Sequence, residues 1–572
     1  MKRSKKVVHV GDFFVRIPRC QYMNKEASLS ATVWKRLATS DEETSITERQ
    51  QETLDIISSD SSYIILAGTP LKVGKYDEIS SGPLGAYCIA EVNSQKINIQ
   101  LDSGNLYAVF VDEGNGFIST SLNAILNQNK CKWKIDKLVL SEQILTGSVV
   151  GRETPFIGIE RLIRDGVMNL DPIVIVYRTE QAENNNSFGR LNHNKLNSIE
   201  YCADYMLSVL QDYFRMIKEF VRDEFVSLGL SGGYDSRLLV LLARGAGLKI
   251  QAYTYESPEH IDELKIATDI AQALGLTLRR IPVRLWGDLD LNSLRNNIED
   301  TLLYYDGRTN DTMGTFSDVH TSRIFRQCLG TAYLNLNGIG GELFRNWQTL
   351  PPYPTNFDTW FEYFILAPGS ERFFKNSIDK WTFYEYIREK YLSILGEKVN
   401  SKVNRSFVRK YYKNIWLPYF AGPRISAENR VAFSLMPFAD SMISSVAISI
   451  SNIPKWGEEF EALMIRRLSP EVARIPSSYG YSFHGSGGRK KVLRWLKTFI
   501  PIKARLLAWR IKEGKQNTCG VEVAPSLHHS IDFIRSLNLP LNIDHILSVP
   551  ILRDRLLYIS TFLYKYRDKL YV

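Results

Sequence analysis

The chain has 572 residues, of which 44% are hydrophobic and 23% charged, values typical of a globular enzyme rather than a disordered or fibrous protein. Its 71 Lys and Arg outnumber 62 Asp and Glu, and the net charge of +9 is mild for this length. That charge allows an acidic substrate, a phosphorylated ligand or an anionic surface and selects none of them, and we expect no nucleic-acid partner.

The chain begins MKRSKKVVHVGDFF, which is basic but has no apolar stretch behind it, so we predict no signal peptide. No apolar run is long enough for a spanning helix, so we predict no transmembrane segment. The six cysteines show no C-x-x-C spacing, which argues against a disulfide framework or a zinc site. These features predict a cytoplasmic protein.

Residues 1–180 are predicted to be rich in β-strands. Short apolar segments alternate with clusters of Gly, Asn, Ser and Asp, which is typical of a sandwich rather than a strand–helix array. The predicted strands include SYIILAG (62–68), GAYCIAEV (85–92), INIQLD (97–102) and LYAVFVDE (106–113).

An Asn-rich polar stretch, residues 181–198, is predicted to be a linker to a second domain, residues 199–572. A helix over 199–224 follows, with apolar residues at steps of four. Strands then alternate with helices, which predicts a parallel, doubly wound sheet. The strands are FVSLGL, LKIQAYTYE, LTLRRIPV and AYLNLNG, the helices between them begin at SRLLVLLAR and IDELKIATD, and a mostly helical part starts at about 345.

The glycine turn in FVSLGLSGGYDSRLLVLLARGAG (225–247) has two functional interpretations. It fits the G-x-S-x-G pattern that presents a nucleophilic serine, here Ser231. It also fits a phosphate-binding loop, in which glycine amides and a helix N-terminus hold an anion and Asp235 binds a metal ion. A structural turn capped by Ser or Asp is the third interpretation. The G-x-x-x-x-G-K-[ST] pattern is absent, which excludes a P-loop NTPase.

The segment SGGYDS (231–236) resembles the SGGxDS pyrophosphate loop of the ATP pyrophosphatase group, which includes asparagine synthetase, β-lactam synthetase and lasso-peptide cyclases. Further segments are similar to that family in the same order along the chain. They are TPFIGIERLIRDG (154–166), YTYESPEHIDELKIATDIAQALG (253–275), NLNGIGGELF (335–344) and RVAFSLMPFADSMI (430–443).

The resemblance implies an α+β N-terminal sandwich of the Ntn type, similar to class II glutamine amidotransferases, and an α/β synthetase domain. It also implies an amide ligase that uses ATP and Mg²⁺ and forms an acyl-adenylate from a carboxylate. Asp235 and Glu342 would hold the metal ion and act in catalysis with Arg474. The implied ATP- and pyrophosphate-binding residues are Leu230, Ser231, Gly232, Gly233, Asp235, Ser236, Tyr255 and Gly338.

The sequence departs from the family at three places. Lys2 stands where glutamine-dependent members carry a cysteine nucleophile, so we predict that the sandwich releases no ammonia. In GIGGELF, Glu342 matches the second metal-binding aspartate when the segment is aligned from its first glycine. We prefer this alignment, under which Ile339 stands where relatives carry a functional Glu or Tyr. Aligned from E-L-F, the matching residue is Gly341 and the metal ligand is lost. No lysine matches the late catalytic lysine, for which Arg474, Lys490 and Lys491 are candidates.

Three alternatives stay open, the first within the amide-ligase class and the other two outside it. They are an asparagine synthase that uses free ammonia, a degenerate nucleotide-binding protein without turnover, and a serine hydrolase acting through Ser231. The expected substrate is a small-molecule or peptide carboxylate, and both a precursor peptide and a homo-oligomer are compatible with the resemblance. The basic segment 487–515 is compatible with a solvated helix, an acidic leader peptide or a membrane surface.

Overall fold

The computed structural model describes most of the chain. The described residues are 5–10, 12–16, 30–34, 51–55, 62–71, 84–92, 96–128, 131–163, 166–170, 173–177, 192–256, 261–284, 289–308, 318–366, 369–485, 489–513 and 527–571. Cys20, Cys519, Lys2 and most of the predicted linker lie outside these ranges.

The N-terminal region is built mainly from strands, as predicted. Its strands are β1 (Lys5–Val10), β2 (Asp12–Arg16), β3 (Ser30–Trp34), β4 (Gln51–Asp55), β5 (Ser62–Leu71), β6 (Leu84–Val92), β7 (Lys96–Leu101), β8 (Phe110–Asp112), β9 (Phe117–Ser119), β10 (Trp133–Lys134), β11 (Ile159–Arg161), β12 (Gly166–Leu170) and β13 (Ile173–Tyr177). Two helices, α1 (Leu122–Leu126) and α2 (Lys137–Thr146), lie among them.

Twelve of these strands form two sheets of six, ordered β1-β5-β6-β7-β12-β13 and β11-β8-β9-β2-β3-β4. The β1–β5 pair is parallel and the other neighbours are antiparallel. Apolar residues of both sheets share one buried cluster, which includes Ile65, Ala90, Val109 and Ile118. The sheets therefore pack face to face, as sandwich layers do.

The predicted strand over 106–113 is shorter than expected, because only Phe110–Asp112 pairs with neighbours. The carboxylate of Asp102 accepts the backbone N–H groups of Leu106 and Tyr107 at 2.8 and 2.9 Å. These amides are satisfied by a side chain and not by a strand ladder. The predictions over 62–68, 85–92 and 97–102 are confirmed.

The second region contains a five-stranded, all-parallel sheet ordered β16-β15-β14-β17-β18. This confirms the predicted parallel sheet and its strand–helix alternation. Its strands are β14 (Phe225–Gly229), β15 (Lys249–Glu256), β16 (Leu278–Pro282), β17 (Leu334–Leu336) and β18 (Phe433–Leu435). The helices before and between them are α3 (Ile199–Val221), α4 (Tyr234–Gly245), α5 (Ile261–Leu274), α6 (Leu291–Tyr304) and α7 (Ser322–Leu329).

The remainder is mostly helical, and much of its core is aromatic. Among the described residues, no helix combines the length and apolar character needed to cross a bilayer. The helices are α8 (Phe357–Phe361), α9 (Ser377–Leu395), α10 (Arg405–Tyr411), α11 (Gly422–Val431), α12 (Ser441–Ser449), α13 (Ile453–Trp456), α14 (Glu459–Leu468), α15 (Pro470–Arg474), α16 (Arg489–Lys497), α17 (Ile502–Glu513), α18 (His528–Ser536), α19 (Ile543–Ser548) and α20 (Pro550–Lys565). A short strand, β19 (Leu570–Tyr571), pairs with β10.

Buried charges join the two regions. The guanidinium of Arg430 on α11 forms ion pairs with Asp12 of β2 at 2.9 Å and with Asp306 at 3.3 Å. The Asp440 carboxylate accepts the backbone N–H of Gly85 at 2.8 Å. Since buried charges are retained only when they are paired, these contacts fix the N-terminal sheets against the second region. Arg430 and Asp440 both belong to the segment 430–443 singled out in the sequence.

Candidate active site

The glycine turn lies at the carboxyl end of β14, the central strand of the parallel sheet. The backbone N–H of Leu230 donates to the carbonyl of Tyr253 at 2.7 Å, which holds the turn against β15. Gly338 follows the neighbouring strand β17, and its Cα faces Asp235, since a Cβ there would lie 3.4 Å from the Asp235 Cβ. In parallel sheets ligands bind at this edge.

Two serine hydroxyls organise the turn from inside. The Oγ atoms of Ser231 and Ser236 lie 3.0 Å apart and share a hydrogen bond. The Ser236 Oγ also accepts the backbone N–H of Ser231 at 3.1 Å, and the Ser231 Oγ accepts that of Gly233 at 3.3 Å. The loop is thereby held in one shape before any ligand arrives.

The N-terminal end of the helix that follows the turn has no side-chain cap. Gly233 is the N-cap of α4, and no side chain caps that end. The Ser231 Oγ accepts the N–H of Gly233 itself, and the first-turn amides and the positive end of the helix dipole face the loop. This arrangement binds anions, and phosphate groups in particular.

The late segment 472–481 packs directly on the glycine turn. The backbone N–H of Ser478 donates to the Gly232 carbonyl at 3.1 Å, and a Cβ on Gly232 would lie 2.9 Å from the Ser478 Cβ. Glycine is therefore required at 232 for this close approach. The buried Arg237 guanidinium donates to the carbonyls of Ile475 and Pro476 at 2.7 and 2.6 Å. These contacts place the late segment beside the glycine turn.

Aromatic rings line the contact between the turn and the late segment. Tyr234 stacks on Phe483 with ring centroids 3.9 Å apart and meets Tyr479 at 5.4 Å. The Arg494 guanidinium of α16 lies 4.7 Å from the centre of the Tyr479 ring and forms an ion pair with Glu458. Burial, followed by the charge of Glu458, raises the pKa of Tyr234 far above its usual range, so that its hydroxyl stays protonated.

A cluster of acidic side chains surrounds one buried guanidinium. Arg345 donates to both oxygens of Asp235, at 2.7 and 2.9 Å, and to Glu461 Oε2 at 2.6 Å. Its Nη2 atom lies 3.8 Å from Glu342 Oε1. The Arg345 side chain is 7% exposed and that of Glu461 is fully buried. One internal cation therefore serves three carboxylates.

The charges in this cluster perturb one another. Burial, and then repulsion from Asp235, raises the pKa of Glu342 and raises that of Glu461 more strongly. Burial alone would lower the pKa of Arg345, but Asp235 and Glu461 outweigh it and raise that pKa well above its usual value. Arg345 is therefore charged at every physiological pH.

The predicted Mg²⁺ site of Asp235 and Glu342 does not fit this arrangement. Both Asp235 oxygens are occupied by Arg345, and Glu342 Oε2 accepts the Tyr412 hydroxyl and the Gly340 N–H. Mg²⁺ needs free oxygen ligands in octahedral geometry. Within the described ranges, no group of three or more His, Cys, Asp or Glu side chains could hold a metal ion. The guanidinium lies where the two carboxylates would share the ion.

The backbone of Gly341 lies so close to Asp235 that no side chain fits at position 341. A Cβ on Gly341 would lie 1.9 Å from Asp235 Oδ1. Of positions 341 and 342, it is therefore 341 whose backbone lies against the Asp235 carboxylate, which is the relationship expected from the alignment on E-L-F. Glu342 instead turns towards Tyr412 and Arg345.

The other predicted residues lie as follows. Tyr255 is half-buried at the end of β15, where its hydroxyl contacts Cys328 Sγ at 3.8 Å. Ile339 is half-buried and packs on the main core. Arg474 ends α15 with an exposed side chain. The cations that lie over aromatic rings of the site are Arg237, Arg345 and Arg494. The side chains of Lys490 and Lys491 lie outside the described structure.

Several residues of the site were missed by sequence reasoning, namely Arg237, Arg345, Tyr479, Glu461 and Arg494. A charged residue directly after the apolar pair of GELF was the available signal for Arg345. The serine-hydrolase interpretation requires a histidine that activates Ser231. In the described part of the chain, Ser231 Oγ bonds with Ser236 and Gly233 and with no histidine.

No family model matches the sequence. A part of the chain is 32% identical over 112 residues to 7-cyano-7-deazaguanine synthase of Marinobacter nauticus. The alignment covers 19% of this chain and 49% of that protein, so the chain spans about half the length of the relative it matches.

Two solved structures align with the chain at low similarity. One is a U34-tRNA thiolase from Methanococcus maripaludis, with 11% identity and a TM-score of 0.19 over 58% of this chain and 91% of that one. The other is the glutamine-dependent NAD⁺ synthetase from Acinetobacter baumannii in complex with ADP, with 15% identity and a TM-score of 0.18 over 56% and 60%. Scores this low carry no argument. The sequence similarity supports a distant relationship to the ATP pyrophosphatase group and does not single out the asparagine synthetase-like subfamily.

Proposed function

We propose that this protein is an ATP-dependent amide-bond-forming ligase that activates a carboxylate as its acyl-adenylate. The observation that carries the proposal is the uncapped N-terminus of α4, placed directly after the central parallel strand and shaped by Ser231 and Ser236. Such a site suits the pyrophosphate part of a nucleotide. The distant relationship to the ATP pyrophosphatase group supports the use of ATP.

The proposed reaction has two steps. A carboxylate oxygen attacks the α-phosphorus of ATP, a bond from that oxygen to phosphorus forms, and pyrophosphate leaves. An amine or ammonia nitrogen then attacks the acyl carbon, the C–N bond forms, AMP leaves, and the nitrogen loses a proton. Loop amides and the serine hydroxyls would hold the leaving pyrophosphate, and Tyr479 would exclude water from it. Most of the rate would come from positioning and charge stabilisation.

The proposal includes the finer assignments made from the resemblance. Residues 1–180 would be an amidotransferase-like sandwich without its nucleophile, 181–198 a linker and 199–572 the ligase domain. Leu230, Tyr255 and Gly338 would lie beside the nucleoside. The substrate would be a small-molecule or peptide carboxylate, met in the cytoplasm. No step is assigned to Mg²⁺, since Asp235 and Glu342 are engaged by Arg345.

A second candidate is a nucleotide-binding protein without turnover. The position of Arg345 favours it, because the guanidinium ties up the acidic residue of the loop. The half-buried Ile339 offers no proton-transfer group beside the loop either.

Exchange of labelled pyrophosphate into ATP tests the first proposal. Purified protein is incubated with ATP and a panel of carboxylic acids, with and without Mg²⁺. Exchange should appear with at least one acid and fall about tenfold in Ser236→Ala, because a preorganised donor to the pyrophosphate is lost. Ser449→Ala is the matched control, since its exposed hydroxyl bonds only the Val446 carbonyl.

The outcomes separate the candidates. ATP binding without exchange for any acid would support the second candidate over the first. Absence of both binding and exchange would contradict both. Exchange that is equal in Ser236→Ala and wild type would place the nucleotide elsewhere.

A further inference from the structure

The helical corner formed by α16 and α17 carries a concentrated apolar surface outside the candidate active site. Seventeen large apolar or aromatic side chains are exposed in the described part of the chain, and eight of them lie between 492 and 509. Scattered exposed apolar residues are normal, but a contiguous group marks an interaction surface. The eight are Val492, Leu493, Trp495, Leu496, Phe499, Ile500, Leu507 and Trp509, each 37–60% exposed.

Hydrogen bonds and a buried side chain fix the two helices of the corner to the rest of the protein. Buried Arg505 donates to the carbonyls of Lys497 and Ile500 at 2.6 and 3.0 Å and to that of Thr349 at 3.0 Å. Ile502 is buried, which ties the start of α17 to the core. The apolar face is therefore a fixed part of the fold.

The α16 helix protrudes from the protein. Its residues 492, 493, 495, 496 and 497 are all exposed, while Arg494 is directed inward to Glu458 and Tyr479. A peptide-binding site is concave and encloses its ligand, whereas a protruding apolar helix can enter a lipid interface. The shape therefore favours a membrane surface over an acidic peptide.

The positive charge of the corner indicates which kind of surface it can bind. Residues 489–513 contain nine Lys or Arg and one acidic residue, Glu513, at the end of α17. Lys497 and Lys503 are exposed beside the apolar face. A second copy of the chain would bring two such basic surfaces together, which is repulsive, whereas anionic lipid head groups attract them. Trp495, Phe499 and Trp509 are of the type that anchors proteins at the head-group level.

We propose that the α16–α17 corner binds peripherally to the surface of an anionic phospholipid bilayer. The apolar side chains enter the interface and the lysines contact lipid phosphates. Arg494 forms an ion pair with Glu458 and lies over the ring of Tyr479, which contacts Tyr234 of the glycine turn. The glycine turn therefore stands close to the bound membrane. The inference does not depend on the proposed ligase activity.

Co-sedimentation of the full chain with vesicles tests the proposal. The protein should pellet with vesicles of equal parts phosphatidylglycerol and phosphatidylcholine and stay largely free with phosphatidylcholine alone. The triple variant Trp495→Ser, Phe499→Ser, Leu507→Ser should bind at least about tenfold more weakly, since it loses three interfacial side chains. Lys497→Glu with Lys503→Glu should weaken binding and lower its salt dependence. All these residues are exposed, so the fold should be kept, as checked by circular dichroism.

A matched control is Ile378→Ser with Trp381→Ser, two exposed apolar residues of α9 outside the corner, which should leave vesicle binding unchanged. Equal binding to both vesicle types, or no binding to either, would overturn the proposal. So would binding that survives the triple variant. Dimerisation lost in the triple variant without vesicle binding would assign the face to a second copy, and tight binding of polyglutamate without vesicle binding would assign it to an acidic peptide.

Discussion

The guanidinium of Arg345 and the carboxylate of Asp235 form a bidentate pair, with N–O distances of 2.7 and 2.9 Å. Asp235 was expected from the sequence to hold a metal ion, and it holds a side chain of the same protein instead. The pair is part of a cluster in which Glu342 and Glu461 also face Arg345. The acidic residue of the glycine turn is therefore paired within the protein itself.

Removing the cation should destabilise the protein strongly. Arg345→Met leaves Glu461 and Asp235 without a partner, and breaking a buried pair typically costs about 3–5 kcal/mol. The free energy of unfolding from urea titration measures this. The control is Arg388→Met, which removes a similar pair with Asp358 and a second contact with Glu385, whose side chains are 45% and 34% exposed. That change should cost less than about 1 kcal/mol. Equal losses would mean that the cluster has no special role in stability.

A methyl group at 341 should disrupt the same pair by sterics. In Gly341→Ala the new Cβ would lie 1.9 Å from Asp235 Oδ1, so the carboxylate must move away from Arg345. We expect a lower melting temperature and weaker nucleotide binding. Gly245→Ala is the control, because a Cβ there meets nothing within 4 Å. As a change within the last turn of α4 it should be neutral or stabilising by up to about 1 kcal/mol. A normal melting temperature for Gly341→Ala would contradict the close contact.

Arg237 should be needed to hold the late segment on the glycine turn. Arg237→Lys keeps the charge but cannot reach the carbonyls of Val472, Ile475 and Pro476 together, since lysine has a single ammonium group. Amide hydrogen exchange over 475–481 should then become faster, and stability should fall by about 1–3 kcal/mol. The control is Arg567→Lys, whose guanidinium bonds one carbonyl at the exposed surface. Unchanged exchange over 475–481 would show that other contacts hold the segment.

Stability should fall below about pH 6.5 because of His320. Burial, and then the charge of Arg424, lowers the pKa of this histidine to about 3 in the folded protein. Its Nε2 atom is buried without a hydrogen-bond partner, so the imidazole stays neutral. The unfolded chain takes up a proton below about pH 6.5 and the folded one does not, which costs about 1.4 kcal/mol per pH unit until the folded pKa is reached.

Unfolding free energies measured between about pH 4.5 and about pH 6.5 check this expectation, because this range lies between the folded and unfolded pKa values of His320. His320→Gln should reduce the dependence of the unfolding free energy on pH, because glutamine does not titrate. This holds whatever the substitution does to the unfolding free energy itself. His484→Gln, at an exposed position, should leave the slope as in the wild type. A slope that is unchanged in His320→Gln would assign the acid sensitivity to other groups.

Elements with a strong local pattern were predictable. The helix over 199–221, the strand–turn–helix around the glycine turn and four of the five parallel strands follow from periodicity and from glycine positions. The fifth strand, β18, was not predicted. The shortened strand near Leu106 was not, because the Asp102 side chain that satisfies its amides is visible only once the turn is folded.

The candidate site was predictable in its loop and not in its charges. Ser231, Gly232, Gly233 and Ser236 are contiguous, so their meeting needs no knowledge of the fold. Arg345 and Glu461 reach Asp235 from segments 110 or more residues away, through the order of strands and helices. Contacts between such distant segments produce no repeating pattern in the sequence. The only local signal for them is Arg345, a charged residue directly after the apolar pair Leu343 and Phe344.

The short pairing of β10 with β19 also bears on how the protein is made. Beside it, the Tyr566 hydroxyl donates to Asn123 Oδ1 at 2.7 Å across a separation of 443 positions. At roughly 5–20 residues per second, the two sides of this contact leave the ribosome on the order of a minute apart. Strand β10 and helix α1 must therefore stay uncovered on this side until α20 and β19 have been synthesised, and a chain stalled before that point would expose them to other proteins.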